Sequence, residues 1–260
     1  MRESADTLEA FYDAPLGRTA STMALRRLRT LWPDLAGRNA LGFGYTAPIL
    51  TDYRKSANRI VLAGPDGQGM KPHRSSRGVM ACVADEGLLP FSDATFDRVL
   101  CVHALEEADD LPGLLRELWR VTQPEGRIVV IAAGRTGLWA RMENLPFGAG
   151  RSFSRRQLRT RLIQAGFQPT VGAGALYGPP IAKLSGPKLS ALFERCGEKL
   201  WPGFCGIVMV EAIKRLYVEP DRIEKARSRK PIFGTAAQPS VEQKVVEQKT
   251  SQRRTGESGS

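Results

Sequence analysis

The chain has 260 residues, 42% of them hydrophobic, enough for a sizeable core, which excludes a globally disordered protein. Its 38 Lys and Arg against 27 Asp and Glu give a net charge of +11. That charge invites an anionic partner, although a basic protein with a basic tail has the same balance. No apolar run approaches the roughly 20 residues that span a bilayer, so no transmembrane segment is expected. The opening residues Arg2-Glu3-Ser4-Ala5-Asp6 are polar and carry no apolar run behind them, so no secretory leader is expected. Cys82, Cys101, Cys196 and Cys205 are scattered, and none forms a C-x-x-C pair. No metal site is therefore predicted, and the cytoplasm is the expected compartment.

In chain order, residues 8–32 read as a helix, with Leu25, Leu28 and Leu31 on one face and Arg26, Arg27 and Arg29 on the other. Pro33 and Gly37 close it. The stretch 39–48 reads as a short strand ending in the glycine turn Gly42-Phe43-Gly44, with a helix start at Ala47-Pro48. A second strand at 59–63 is closed by Gly64-Pro65-Asp66-Gly67, and residues 68–77 read as loop. Val79–Val83 is a third strand. Residues 88–96 are punctuated by Pro90, Ser92 and Asp93 as a turn, and a buried strand follows at 97–102.

A helix is predicted over 110–122, capped by Asp110, with Leu111, Leu114, Leu115, Leu118 and Trp119 inward and Arg116, Glu117 and Arg120 outward. Pro124-Glu125-Gly126 is its exit turn, before a strand at 128–132. Ser154 with Gln157 is a capping box that opens another helix, ended by Ala165-Gly166. A strand at 169–177, a helix at 187–200 with Leu189, Leu192, Phe193 and Leu200 inward, and a last strand at 206–217 complete the ordered part. Residues 221–260 hold nine basic and five acidic residues and few apolar ones, so a disordered basic tail is expected from 219 on. The expected organisation is an N-terminal helical cover over 1–37, a main domain over 38–218 and the tail over 219–260.

Short apolar strands alternating with helices predict a doubly wound α/β sheet. Such sheets bind ligands beyond the carboxyl ends of their strands, so the loops 42–47, 64–67, 84–87 and 102–107 are the candidate site. Gly42 and Gly44 would let backbone approach a ligand closely. Asp85 could accept a hydrogen bond from an amino group, or simply cap its own turn. His103 could be an acid–base group or a packed structural histidine. Glu106, Glu107, Asp109 and Asp110 read as charges that complement the dipole of the following helix. Trp139 and Phe147 could line an apolar pocket or pack on the core. The arginines at 151, 155, 156, 159 and 161 read as a solvated face, with nucleic-acid binding as the lesser alternative.

The run Asp85-x-x-x-Leu89-Pro90-Phe91-Ser92-Asp93-Ala94-Thr95-Phe96-Asp97-Arg98-Val99 resembles the D-x-x-x-LPF-x-D-x-x-FD-x-V block of class I S-adenosylmethionine-dependent methyltransferases, type 11. Leu114–Val121 followed by Gln123–Arg127, and Phe153-Ser154 followed by 157–167, are similar to two later blocks of the same family. The resemblance spans roughly residues 38–215. It implies a Rossmann-like, seven-stranded, mostly parallel sheet with an antiparallel last strand, the cofactor S-adenosyl-L-methionine and methyl transfer to a small-molecule substrate. It places Gly42, Phe43 and Gly44 on the loop near the cofactor's methionine part, Gly64 at the second strand tip, Asp85 and Glu86 at the adenine, and His103 where cofactor and substrate meet. Tyr12 is placed in the cover that closes the pocket. No catalytic residue is assigned. Two positions depart from the family. Ala40 and Thr46 stand where the glycine loop has an acid and a third glycine, and Ala63-Gly64-Pro65 lacks the acid that holds the ribose. These departures raise the alternative of a non-catalytic binding or regulatory module on the same fold.

Overall fold

The computed structural model describes residues 2–70, 79–142, 144–181 and 186–216, without the side chains of Pro187 and Lys188. The expected tail and most of the 68–77 loop, including His73, lie outside the described residues.

Seven strands form one sheet: β1 (Asn39–Gly44), β2 (Arg59–Pro65), β3 (Val79–Ala84), β4 (Phe96–Val102), β5 (Thr122–Ala133), β6 (Phe167–Ala175) and β7 (Ile207–Lys214). Their spatial order is β3-β2-β1-β4-β5-β7-β6. The first five run parallel, and β7 is antiparallel to both β5 and β6. This is the doubly wound architecture that the alternation of elements predicts, with the mostly parallel sheet and antiparallel last strand that the resemblance implies. Strand order reverses between β1 and β4, which fixes the crevice at their carboxyl ends.

Alternate residues of the central strands feed two cores, one on each face of the sheet. Leu41, Phe43, Val99, Cys101, Ile128 and Val130 meet the leucines of α4 (Leu111–Val121) together with Leu158 and Leu162 of α5 (Arg155–Gln164). On the other face Ile60, Leu62, Leu100, Val102, Val129 and Ile131 meet the cover helices α1 (Ala5–Asp13) and α2 (Pro15–Leu31). A short α3 (Ala47–Leu50) follows β1, and α6 (Pro187–Leu200) precedes β7.

Local signals explain most boundaries. Asp110 accepts from Gly113 N at 3.0 Å and starts α4. Ser154 and Gln157 form the full capping box of α5. The N-terminal helix differs from its expectation. It starts earlier, at Ala5, and breaks at Ala14, which is extended before Pro15. A residue before proline avoids helical geometry, and this local rule overrides the continuous apolar stripe. In α6 the inward residues are Ser190, Phe193, Glu194 and Gly197, while Leu192 and Leu200 are 55% and 71% exposed. Gly197 lies so close on the Tyr177 ring that a Cβ there would overlap it, and this contact turns the helix away from its leucine stripe. The Pro124-Glu125-Gly126 turn is a bulge inside β5, with Glu125 at φ +58°.

Glu117 and Arg120, read as outward residues of α4, hold the turn before β4. Arg120 donates to Leu89 O at 2.9 Å, Phe91 O at 2.8 Å and Asp93 Oδ1 at 2.7 Å, and to both Glu117 oxygens. Glu117 accepts from Leu89 N at 2.9 Å. Asp97 accepts from Asn39 N at 2.9 Å, tying the start of β4 to that of β1. The Leu-Pro-Phe block is thus the brace of a turn, fixed from the helix that follows it. Lys214 ends β7 with its ammonium 2.8 Å from Trp119 O, 2.7 Å from Thr122 O and 3.9 Å from the Trp119 ring centroid, capping α4.

Candidate functional site

The carboxyl ends of β2, β1 and β4 lie side by side, and the loops they feed converge above β1. Gly44 ends β1 with φ +82°, a conformation that glycine adopts without strain, and a Cβ there would overlap Val102 O. Tyr45 N then donates to Val102 O at 2.9 Å. Gly42 serves a different purpose from the one its motif suggests. The Thr46 hydroxyl packs against it, where any side chain would collide, and Thr46 Oγ1 is buried with no hydrogen-bond partner. Phe43 is fully buried among the residues facing α4, so its side chain belongs to the core. The helix after this loop, α3, is a single turn and offers no substantial dipole.

At the end of β4, His103 is 6% exposed and sits at φ +50°. Its Nε2 shares a 2.9 Å hydrogen bond with Tyr12 Oη of α1. Burial drives the imidazole pKa down to about 4, so it is neutral at pH 7. Burial, and then the nearby Glu106 charge, push the Tyr12 hydroxyl upward. Tyr12 stacks on Tyr45 at 5.5 Å, and His103 lies 4.7 Å from the Phe147 ring. Trp139 and Phe147 are both buried core members, with Trp139 Nε1 donating to Gly178 O at 2.9 Å. They pack, as one of their two readings has it, and their packing forms an aromatic wall beside His103.

The tip of β2 reaches across β1. Residues 65–69 form a tight turn, with Gln68 N and Gly69 N both bonded to Pro65 O. Gly64 is where that turn folds back, since a Cβ there would overlap Gly69 O. Gln68 is 4% exposed and donates from Nε2 to His103 O at 3.1 Å, while its Oε1 has no partner. Gln68 therefore bridges the β2 and β4 tips directly above Gly44.

The N-terminal segment lies over the same ground. Arg2 forms an ion pair with Glu86 and donates to Ala104 O at 3.4 Å. Glu3 N donates to Glu107 Oε2 at 2.9 Å, and Ala5 N to Gln68 O at 2.8 Å. Asp85 stands apart. It is exposed, and its Oδ1 accepts from Gly87 N at 2.8 Å, closing its own turn. Glu86, next to it, accepts from Asp109 N at 2.9 Å as well as from Arg2. The structure thus gathers Gly44, His103, Tyr12 and the β2 tip beyond Gly64, places Glu86 at the rim, and leaves Asp85 outside and Phe43 underneath.

Glu106 corrects the dipole reading of the acidic cluster. α4 begins at Leu111, so only Asp110 caps it, whereas Glu106 is 3% exposed in the loop after β4. Its Oε1 accepts from Ala133 N at 2.9 Å, and its Oε2 has no partner. Burial raises its pKa to about 7. Three of the four buried side-chain polar atoms left unpartnered among the described residues, Thr46 Oγ1, Gln68 Oε1 and Glu106 Oε2, belong to loops at this one edge. Buried polar atoms without partners are rare, and their clustering marks a place built for something polar. The sequence signal for Glu106 was its place after a buried strand. Arg2, Tyr45 and Gln68 had no periodicity or motif to mark them. A cleft of about 240 Å³, lined by Glu9, Tyr12, Tyr45, Pro48 and Met70 among others, opens beside the Tyr12–Tyr45 stack.

Comparison with known proteins gives the same edge a context. Residues 41–130 match the family model of a methyltransferase domain, the type 11 model. The chain is 31% identical over 190 residues to malonyl-[acyl-carrier protein] O-methyltransferase of Halorhodospira halophila, covering 68% of this chain and 64% of that protein. It is 41% identical over 105 residues to demethylmenaquinone methyltransferase of Corynebacterium efficiens, covering 40% of this chain and 46% of that protein. The chain therefore spans less than two thirds of either relative. A SAM-dependent methyltransferase from Thermotoga maritima superposes with a TM-score of 0.57 at 18% identity, over 80% of this chain and 94% of that one, a likeness of fold.

Proposed function

We propose that this chain, whose residues 41–130 belong to the type 11 methyltransferase domain of class I S-adenosylmethionine-dependent enzymes, transfers a methyl group from S-adenosyl-L-methionine to a small-molecule acceptor. The observation that carries the reading is the cluster of unpartnered buried atoms at the switch-point edge of a sheet with this family's order.

The residues present fit that cofactor with one substitution of parts. Gly44 ends β1 at a positive φ, the turn from which the loop beside the crevice departs. The acid missing from the β2 tip is replaced there by Gln68, whose free Oε1 can accept from a ribose hydroxyl. Glu86, at the rim beyond β3, could accept from an adenine amino group once Arg2 and Asp109 N release it. His103, held neutral, faces the junction with the acceptor.

The cofactor supplies an electrophilic methyl on a sulfonium, so the protein's task is orientation and exclusion of water. Tyr12, Arg2 and Gln68 perform the exclusion, since together they roof the crevice over Gly44. We read α1 with residues 2–4 as a cover that lifts to admit cofactor and closes over it. On that reading residues 1–37 act as a cover apart from the main domain that starts at 38. Four free cysteines suit a reducing cytoplasm. Among the described residues no helix is long and apolar enough to cross a membrane.

Isothermal titration with S-adenosylhomocysteine tests the reading. Binding in the micromolar range supports it, and no heat at millimolar ligand defeats it.

A second reading rests on the same roof. The chain's own side chains fill the crevice, and no acid ends β2. That geometry suits a binding module that has given up cofactor, and the same titration separates the two.

A further inference from the structure

Glu106 is a carboxyl group buried at the crevice edge of the sheet, in the loop after β4, without a counter-charge. Its loop directly follows β4, three residues beyond His103, and its side chain is 3% exposed. Ala133 N at the end of β5 holds Oε1 at 2.9 Å and so fixes the orientation of the whole carboxyl group. Oε2, the other oxygen, is buried and makes no hydrogen bond. Among the described residues no Lys, Arg or His forms an ion pair with Glu106.

Backbone N–H groups of Glu106, Ala133 and Ala104 offset part of the burial, but no charged group compensates it. Tyr12 approaches from α1 and Cys101 from β4, and both have their own ionisation opposed by the Glu106 charge. Glu107, its neighbour, adds like charge. Arg151 uses its backbone N on Glu106 O at 2.8 Å, but its guanidinium donates to Ala108 O. A buried carboxyl with one oxygen anchored and the other idle is costly to the fold. Groups of this kind cluster where proton transfer is needed.

We propose, on the basis of the methyl-transfer reading, that Glu106 is the general base of this reaction and that the acceptor atom is a neutral hydroxyl oxygen, phenolic or enolic. Of the common methyl acceptors, a carboxylate has already lost its proton and a neutral amine attacks with its free pair. A hydroxyl gains most from a base, because its proton must leave as the bond forms. The aromatic wall of Phe11, Phe147 and Trp139 beside His103 suits the apolar body that carries such a hydroxyl. In the step, the acceptor O–H bond breaks and its proton passes to Oε2. The oxygen's electron pair forms the new bond to the methyl carbon. The carbon–sulfur pair stays on sulfur, which leaves as a neutral thioether. A base that titrates to about 7 is ready for this work at neutral pH.

The test uses the full chain, its Glu106→Gln and Glu106→Asp variants, S-adenosylmethionine as donor and a panel of simple phenols as acceptors. Wild-type rates are expected to rise with pH and level off above about 7. Glu106→Gln should be slower by about two to four orders of magnitude. It should also lose the rising limb, with the rate compared at saturating S-adenosylmethionine. Glu106→Asp should restore part of the limb. Independently, carbon-13 spectra of glutamate-labelled protein without ligand should show one carboxyl that titrates near pH 7 and is absent from Glu106→Gln. The proposal is overturned if Glu106→Gln keeps rate and limb, or if the labelled carboxyl titrates in the ordinary range of about 4.3. It is equally overturned if S-adenosylhomocysteine binds but no phenol is methylated. Absence of S-adenosylhomocysteine binding to the wild type would instead defeat the methyl-transfer reading, whatever the labelled carboxyl does.

Discussion

Tyr12 Oη and His103 Nε2 lie 2.9 Å apart and join the first helix to the end of the fourth strand. Ninety-one residues separate them in the chain, yet this bond decides whether the crevice above Gly44 is roofed. Both groups are almost wholly buried, so each satisfies a polar atom that the other would leave bare.

Replacing Tyr12 with Phe keeps the stacking on Tyr45 and removes only the hydroxyl. The imidazole nitrogen is then buried without its partner, at a cost of about 1–3 kcal/mol. Urea unfolding at pH 7 should show that loss, and hydrogen exchange should show faster opening of the α1 amides, with β5 and β7 unaffected.

The pH dependence of stability follows from His103. Its folded pKa is lowered to about 4 from an ordinary value of 6.5. A depressed pKa makes the stabilisation full above 6.5, and it is lost as pH falls from 6.5 towards 4. The loss amounts to about 3 kcal/mol if burial is the whole cause. Glu106, with its pKa raised to about 7, regains stability over the same fall in pH, so the His103 limb is read as a difference: the denaturant midpoint of His103→Asn, a residue that tolerates positive φ, should rise relative to wild type as pH falls from 7 to 4. A limb unchanged in the variant would assign the acid sensitivity elsewhere.

The brace of the Leu-Pro-Phe turn makes a third prediction. Arg120→Ala strips donors from Leu89 O and Phe91 O and leaves the Glu117 carboxylate without its partner. We expect a stability loss of about 2–4 kcal/mol by chemical denaturation. Arg120→Lys should recover little, because an ammonium cannot serve the turn and the carboxylate in the planar fork that a guanidinium provides.

How much of this was legible in the sequence depends on the range of the forces involved. The strands at 39–44, 59–65 and 96–102 were readable because unbroken apolar runs need cover on both faces. Asp110 and the Ser154–Gln157 box were readable because capping is local. The site was less so. Gly42 and Gly44 look alike in sequence, yet one makes room for Thr46 and the other supplies a positive φ. Asp85 offered two local readings, and its closed turn is one of them. Arg2, Gln68 and Glu106 act through partners 84, 35 and 27 residues away, which no periodicity records. The inward reading of Leu192 and Leu200 failed for the same reason, because the Gly197–Tyr177 contact outweighs the stripe.

Lys214 gives a fourth prediction. Its ammonium serves the carbonyls of Trp119 and Thr122 at the end of α4, and burial lowers its pKa. Lys214→Met keeps the apolar stem and removes the donors, at an expected cost of about 1–3 kcal/mol. The loss should appear as a lower denaturant midpoint with an unchanged slope.

The central claim is that the crevice over Gly44 receives the methyl donor when the α1 cover lifts. A crystal structure of the chain with S-adenosylhomocysteine tests it most directly. The account predicts the nucleoside above Gly44 between the β2 and β4 tips, in contact with Gln68, with the Gln68–His103 bridge opened. A structure in which Tyr12, Gln68 and Arg2 keep their present bonds while the ligand is absent or bound elsewhere would contradict it.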